Sequence, residues 1–120
     1  MPNRITKSFT FDSAHWLPHV PEGHKCGRMH GHTYTIVIGL EGEVLPESGW
    51  IVDFGDIKAV FKPLEKIMDH QLLNDIEGLA NPTAENMARW IFEQLEADLP
   101  QLADVTVKET PTTAATYRRP

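Results

Sequence analysis

The segment HTYTIVIGLEGEV, residues 32–44, alternates apolar and polar side chains over most of its length. Tyr34, Ile36, Ile38 and Leu40 share one parity, so in an extended chain they all face the same way. This alternation is typical of a β-strand with one buried face.

A strand is also predicted before it, over residues 5–13, where Ile5, Phe9 and Phe11 share one parity and His15 continues it. The intervening residues 16–29 are predicted to be irregular, because prolines and glycines there disfavour both a helix and a paired β-strand. They are Pro18, Pro21, Gly23 and Gly27. A loop of this length in a compact domain is uncommon unless it serves a site.

Two helices are predicted downstream. Asp53 can cap the first, which carries an apolar stripe at three- and four-residue spacing. Pro63 is expected to kink or split that helix. Thr83 can cap the second, which Pro100 is expected to end. The first stripe comprises Ile57, Val60, Phe61, Leu64, Ile67 and Met68, and the second Met87, Ile91 and Leu95.

Two further strands are predicted around Val105 and Val107 and over residues 114–118. The order strand, strand, helix, helix, strand, strand favours an α+β fold, an antiparallel sheet of four strands with both helices on one face. We expect one domain over residues 1–120. So small a sheet leaves exposed edges, which favours a homo-oligomer.

The composition excludes several classes of protein. The net charge of -6 disfavours extensive electrostatic binding to nucleic acid. The apolar runs are too short to span a membrane. The N-terminus lacks the layout of a secretory signal, so a cytoplasmic protein with a small-molecule partner is expected. The chain has one cysteine, which cannot form an intrachain disulfide.

Five of the six histidines lie between His15 and His32. His30 and His32, at positions i and i+2 of a strand, project to one face, and His15 can reach them from a paired strand. Three imidazoles that leave one coordination position open are typical of catalytic zinc. The alternative is a set of half-exposed strand histidines. His19 and His24 lie among prolines and glycines and are expected to be solvated.

Cys26, Glu109 and the pair Asp69 and His70 are further candidates. Cys26 lies between Lys25 and Arg28, whose charges would favour a reactive thiolate, but it could instead be a fourth, structural zinc ligand. Asp69 could orient His70, although helical neighbours do not face each other, so contact requires non-helical backbone. Glu109 places a carboxylate on the parity of its strand that is otherwise apolar. It is either a buried carboxylate that binds a ligand, or a residue at a strand end that has already left the core.

Six motifs in order, FDSAHWLP, CGRMHGH, WIVDF, MDHQLLN, NPTAEN and VKET, resemble the 6-pyruvoyltetrahydropterin synthase superfamily. The spacing Cys-x-x-x-His-Gly-His is most similar to its 6-carboxytetrahydropterin synthase branch, which belongs to queuosine (7-deazapurine) biosynthesis. The resemblance covers residues 8–118. It implies the tunnelling fold, in which the sheets of several subunits join into a barrel, usually as a hexamer with active sites between subunits.

The resemblance also implies roles for the candidate residues. His15, His30 and His32 would bind zinc, and Cys26 would be the base that abstracts a proton. Asp69 and His70 would form its relay, and Glu109 would anchor the pterin ring, with a relay role sometimes assigned to it as well.

The implied reaction converts 7,8-dihydroneopterin triphosphate to 6-carboxytetrahydropterin, with loss of triphosphate and acetaldehyde. Lys25 and Arg28 could assist with the triphosphate, and Arg118 and Arg119 have no assigned role. The alternatives are a 6-pyruvoyltetrahydropterin synthase activity and a non-catalytic, zinc-stabilised assembly module.

Overall fold

A computed structural model describes residues 3–120. The strands form one antiparallel sheet in the spatial order β1-β2-β3-β4. This confirms the predicted four-stranded α+β architecture. The elements are β1 (Asn3–His15), β2 (His30–Gly42), α1 (Phe54–Met68), α2 (Ala84–Leu95), β3 (Leu102–Thr110) and β4 (Thr113–Arg118), with 3-10 turns at Lys25–Gly27 and Leu73–Asp75.

The core lies between one face of the sheet and the two helices. The apolar parity of β2 is fully buried, as the alternation predicts, and it packs in one cluster with the buried residues of α1 and α2. Burial of these side chains is the main favourable contribution to folding. The opposite face of the sheet carries the exposed positions of β1, among them Thr6, Ser8 and Thr10. Both helices therefore cover the same face, leaving the other open.

Both predicted helix caps are present. The Asp53 side chain accepts a hydrogen bond from the Gly55 N–H at 2.9 Å, and the Thr83 side chain accepts one from the Asn86 N–H at 3.1 Å. These bonds satisfy backbone donors that have no partner within the helix. Among residues 3–120, no helix combines the length and apolarity needed to cross a bilayer.

Three details of the helices differ from prediction. α1 runs unbroken through Pro63, so of the two expected effects, a kink or a split, the split does not occur. Pro63 and Ala59 lie on the exposed face, where the carbonyl that loses its partner is not buried. Ile67 was assigned to the buried stripe but is 50% exposed. α2 ends at Leu95, before Pro100 is reached, with Leu99 packing into the core.

Gly39 lies beneath an ion pair that crosses β2. The Arg4 guanidinium, on β1, reaches over this glycine to Asp104 on β3 with two bonds of 2.8 Å. A Cβ atom on Gly39 would overlap both the Asp104 carboxylate and the Arg4 guanidinium. Only glycine therefore permits this bidentate pair, which connects three strands.

Gly39→Ala is accordingly expected to lower the free energy of unfolding by about 1–3 kcal/mol, the usual cost of overpacking a tight site. Urea denaturation of the metal-free protein measures it. The control is Gly31→Ala on the same strand, where the added Cβ would lie at an ordinary 3.5 Å from the Ser13 carbonyl oxygen. Equal unfolding midpoints for the two variants would contradict the steric explanation.

Candidate metal centre and active site

Three histidines meet where β1 ends and β2 begins. His15 lies directly opposite His30 in the strand register, and His32 is two residues further along β2. One ring nitrogen from each of the three lies within 4.8 Å of the others. The sheet thus brings together the three residues that strand parity predicted, in a group that could hold a metal ion.

The protonation states of two of these rings follow from their hydrogen bonds. Nδ1 of His15 lies 2.8 Å from the Pro82 carbonyl oxygen, and Nδ1 of His30 lies 2.7 Å from that of Arg28. A carbonyl only accepts, so each Nδ1 must carry the proton, which leaves a lone pair on each Nε2 when the rings are neutral. These two Nε2 atoms are 2.9 Å apart. Two lone pairs at that distance repel, so either a shared proton or a metal ion is needed between the two nitrogens.

The third ring and its surroundings fit the same interpretation. His32 Nε2 is buried and has no hydrogen-bond partner among residues 3–120. Burial lowers the pKa of both His15 and His32 below the ordinary imidazole value, which favours the neutral form that metals bind. Converging nitrogen lone pairs and one buried nitrogen without a partner form a donor set that could hold a metal ion, and three imidazoles are a common donor set for zinc.

A cavity of about 370 Å³ opens over the histidine cluster. Its walls include the predicted thiol and the predicted carboxylate, so chemistry-bearing residues from β1, the long loop, β2 and β3 share one space. A groove of about 590 Å³ lies elsewhere on the sheet, at Arg4 and Asp104, without such a cluster. The cavity is therefore the better candidate site. It is lined by His15, Leu17, Lys25, Cys26, His30, His32 and Glu109.

Cys26 lies on the turn that closes the long loop. Its N–H donates to His24 Nδ1 at 3.0 Å, and its carbonyl accepts from the Leu17 N–H at 2.8 Å, which joins the two sides of the loop at a narrow neck. His24 thus supports the backbone of Cys26, while His19 is exposed. The thiol is half-buried, lines the cavity and is not a member of the metal-ligating group.

Asp69 and His70 are in direct contact. His70 Nδ1 lies 2.9 Å from Asp69 Oδ1, because His70 adopts a left-handed backbone with a φ of 55°. This is the non-helical conformation that contact between the neighbours requires. The bond to His70 lowers the pKa of Asp69. The main chain of Asp12 holds the turn. Its carbonyl accepts a hydrogen bond from the His70 N–H at 2.6 Å, and its N–H donates to Asp69 Oδ1 at 3.1 Å.

The structure brings Glu109 to the cavity but not His70. The Glu109 carboxylate is 25% exposed, and its Oε2 lies 3.9 Å from His32 Nε2, beyond hydrogen-bond reach. Its burial beside the cluster argues against a strand end beyond the core. The side chain of His70 is 75% exposed and does not line the cavity that contains Cys26. One chain therefore does not bring the proposed base and its relay together.

Sequence patterns did not indicate the groups that orient the ligands. The carbonyls of Pro82 and Arg28 act through the backbone, so no side-chain signal marks them. Asn74 and Ser13 bind main-chain groups next to the site, and both lie within motifs that carry the resemblance. The motifs could have identified these positions as candidates, although not their partners.

Comparison with known proteins assigns the family. The model of the family described as 6-pyruvoyl tetrahydropterin synthase matches residues 4–120. The chain belongs to this family. Within the 6-pyruvoyl tetrahydropterin synthase family, a protein of Synechocystis sp. named 6-carboxy-5,6,7,8-tetrahydropterin synthase is 45% identical to the chain, covering 97% of the chain and 93% of the relative.

The chain is also similar to a protein with a different name and to a solved structure. A dihydroneopterin monophosphate aldolase of Pyrococcus furiosus is 37% identical, over 90% of this chain and 86% of that protein. The structure of Caenorhabditis elegans 6-pyruvoyl tetrahydropterin synthase superposes with a TM-score of 0.90 at 29% identity, covering 98% of this chain and 96% of that one. The fold is thus the tunnelling fold of 6-pyruvoyl tetrahydropterin synthases.

Proposed function

We propose that the protein is a zinc-dependent lyase that converts 7,8-dihydroneopterin triphosphate to 6-carboxy-5,6,7,8-tetrahydropterin, releasing triphosphate and acetaldehyde, in cytoplasmic queuosine biosynthesis. The observation that carries the proposal is the convergence of three imidazole nitrogens in a cavity that also contains Cys26 and Glu109. The name of the Synechocystis relative supports the reaction, since that protein shares nearly half of its residues with the chain.

We propose a role for each titratable residue that lines the cavity. Zinc held by the three histidines would polarise the side-chain oxygens of the substrate as a Lewis acid. Cys26, as the thiolate, removes a proton from the carbon beside them. The Glu109 carboxylate accepts N–H bonds from the pyrimidine edge of the pterin and so holds the side chain of the substrate over the cluster. Lys25, which lines the cavity, is placed to meet the triphosphate, whereas Arg28 does not line it.

His70 completes this site only if it comes from a second copy of the chain. Its ring is exposed and outside the cavity of its own subunit, while Asp69 and Asp12 hold it in a fixed orientation. We therefore propose a homo-oligomer in which Asp69 and His70 of one subunit form the proton relay for Cys26 of another. The family resemblance implies that this oligomer is a hexamer. The open edges of β1 and β4 are available for joining subunits.

Product analysis is the direct test of the reaction. Purified protein loaded with zinc is incubated with 7,8-dihydroneopterin triphosphate, and the pterin products and acetaldehyde are quantified. We expect 6-carboxytetrahydropterin and equimolar acetaldehyde. A pyruvoyl product without acetaldehyde would favour the 6-pyruvoyltetrahydropterin synthase alternative. Absence of turnover, together with unfolding on chelation, would favour the zinc-stabilised assembly module.

Glu109→Ala is expected to weaken pterin binding by about 1.5–3 kcal/mol, the usual contribution of hydrogen bonds to a charged group. Zinc binding should persist, because Glu109 is not among the ligating residues. Isothermal titration calorimetry with a pterin measures the affinity. Lys108→Ala is the matched control, since Lys108 precedes Glu109 on β3 and is exposed. Equal affinity in Glu109→Ala and the control would remove the anchor role.

A further inference from the structure

The segment that carries His15 is flanked on its outer edge by residues 71–74. The Ala14 N–H donates to the Gln71 carbonyl at 2.9 Å, and Ala14 and Leu72 form an isolated parallel bridge. β1 is an edge strand of the sheet, so at this end the 71–74 segment takes the place of a neighbouring strand. The backbone before His15 is thereby fixed on both sides.

Beyond His15, a side chain takes over this pairing. The Trp16 N–H donates to Asn74 Oδ1 at 3.0 Å, and Asn74 Nδ2 donates to the Trp16 carbonyl at 2.8 Å. The amide of Asn74 thus satisfies both main-chain groups of the residue that follows the ligand, as a paired strand would. Its orientation is unambiguous, because the Trp16 N–H can only meet an oxygen and the carbonyl only a nitrogen.

The same amide also contacts the loop that orients the His15 ring. Asn74 Nδ2 lies 3.4 Å from the Ala80 carbonyl, two residues before Pro82, whose own carbonyl accepts the His15 Nδ1–H at 2.8 Å. Asn74 therefore connects the backbone that positions the ligand with the loop that sets its tautomer. His15 is 1% exposed and is the most buried of the three ligands, so its placement constrains the cluster most.

We propose that Asn74 is a positioning residue for the metal ligand His15. It binds no metal itself; it holds residue 16 and the 80–82 loop so that His15 Nε2 points at the cluster. Partners of this outer kind typically change metal affinity by about 10–100-fold when removed. The inference rests on the proposed function only in requiring that the three histidines bind a metal.

The test compares metal affinity and geometry in three variants. Asn74→Ala removes all three bonds of the amide. Asn74→Asp keeps an acceptor for the Trp16 N–H but sets an oxygen against the Trp16 and Ala80 carbonyls. Asn86→Ala is the control: its Nδ2 donates to the Asn81 carbonyl at 2.9 Å, in the same loop, without a bond to β1.

Zinc affinity is measured by competition with a chromophoric chelator, and ligand geometry by the visible spectrum of the cobalt-substituted protein. We expect both Asn74 variants to bind zinc at least about 10-fold more weakly than wild type and to shift the cobalt bands. Asn86→Ala should match wild type in both. Wild-type affinity and spectrum in Asn74→Ala would overturn the proposal, and so would an equal loss in the control.

Two further outcomes separate this inference from the proposed function. If the Asn74 variants remain unfolded even with saturating zinc, Asn74 supports the fold in general and the positioning role is wrong. If wild type binds zinc and the Asn74 variants bind it weakly, but no pterin product forms, the positioning role holds and the proposed reaction fails. Circular dichroism of each variant, with and without zinc, distinguishes these outcomes.

Discussion

Replacing Cys26 with alanine should abolish turnover while zinc remains bound. The thiol lines the cavity but is not a member of the histidine group that could hold a metal ion, so that group is complete without it. A positioned base typically contributes about 10²–10⁴-fold to the rate, and we expect a loss in that range or beyond it. The rate of product formation and the zinc content per subunit are measured together.

Met29→Ala is the matched control for this prediction. Met29 lies in the same loop, is 63% exposed and does not line the cavity, so its removal should leave the rate unchanged. Loss of zinc from Cys26→Ala would instead support a structural site of one cysteine and three histidines. Retained turnover would assign the proton transfer to another group.

The same variant can show whether two subunits share a site. His70→Ala should also be inactive, but subunits of Cys26→Ala and His70→Ala that are unfolded together and reassembled should recover activity. With random mixing, about one site in four would combine an intact Cys26 with an intact His70. A reassembled mixture that stays inactive would indicate that Cys26 and His70 of each site come from the same chain. It would contradict the shared site inferred from the exposure of His70.

His32→Ala should remove the metal and with it the activity. His32 is the most informative of the three ligands to replace, because its Nε2 has no hydrogen bond among the described residues that the change would also break. We expect zinc affinity to fall by more than the roughly 10–100-fold typical of outer partners. Competition with a chelator measures the affinity, and His19→Ala, in the exposed part of the loop, should bind as wild type.

The fold of His32→Ala should survive, which separates a catalytic from a structural metal. The main core is a cluster of apolar side chains between the sheet and the helices, and His15 and His32 contact it at its edge, against the buried Tyr34 ring. We therefore expect near-native circular dichroism for the variant and for wild type in chelator. Cooperative unfolding on chelation would indicate that the metal is structural.

Much of the fold could be predicted because periodicity reports burial directly. The apolar parity of β2 is buried as predicted, and the parity of His15, His30 and His32 placed three ligands in one cluster. The apolar stripe of α1 already places Pro63 on the exposed face, but the stripe alone does not show whether the helix continues through a residue that lacks an N–H. Local patterns describe a single element well, but not its continuity through one residue.

The candidate site was less predictable wherever the main chain decides the outcome. Contact between Asp69 and His70 depends on the left-handed backbone of His70, whose N–H donates to the Asp12 main-chain carbonyl on a strand distant in sequence. The tautomers of His15 and His30 depend on carbonyl groups, which every residue carries and no residue type marks. The separation of His70 from Cys26 is a property of the tertiary structure, to which short motifs are insensitive.

The bond between the Leu17 N–H and the Cys26 carbonyl has an evolutionary consequence. It isolates residues 18–25 as an arc whose ends are tied together, while the ligands themselves sit on paired strands below the tie. His24 and Lys25, at the end of this arc, contact Cys26 or line the cavity, but exchanges at its other exposed positions leave the framework beneath it undisturbed. Natural selection could therefore reshape the entrance to the cavity without rebuilding the histidine cluster beneath it.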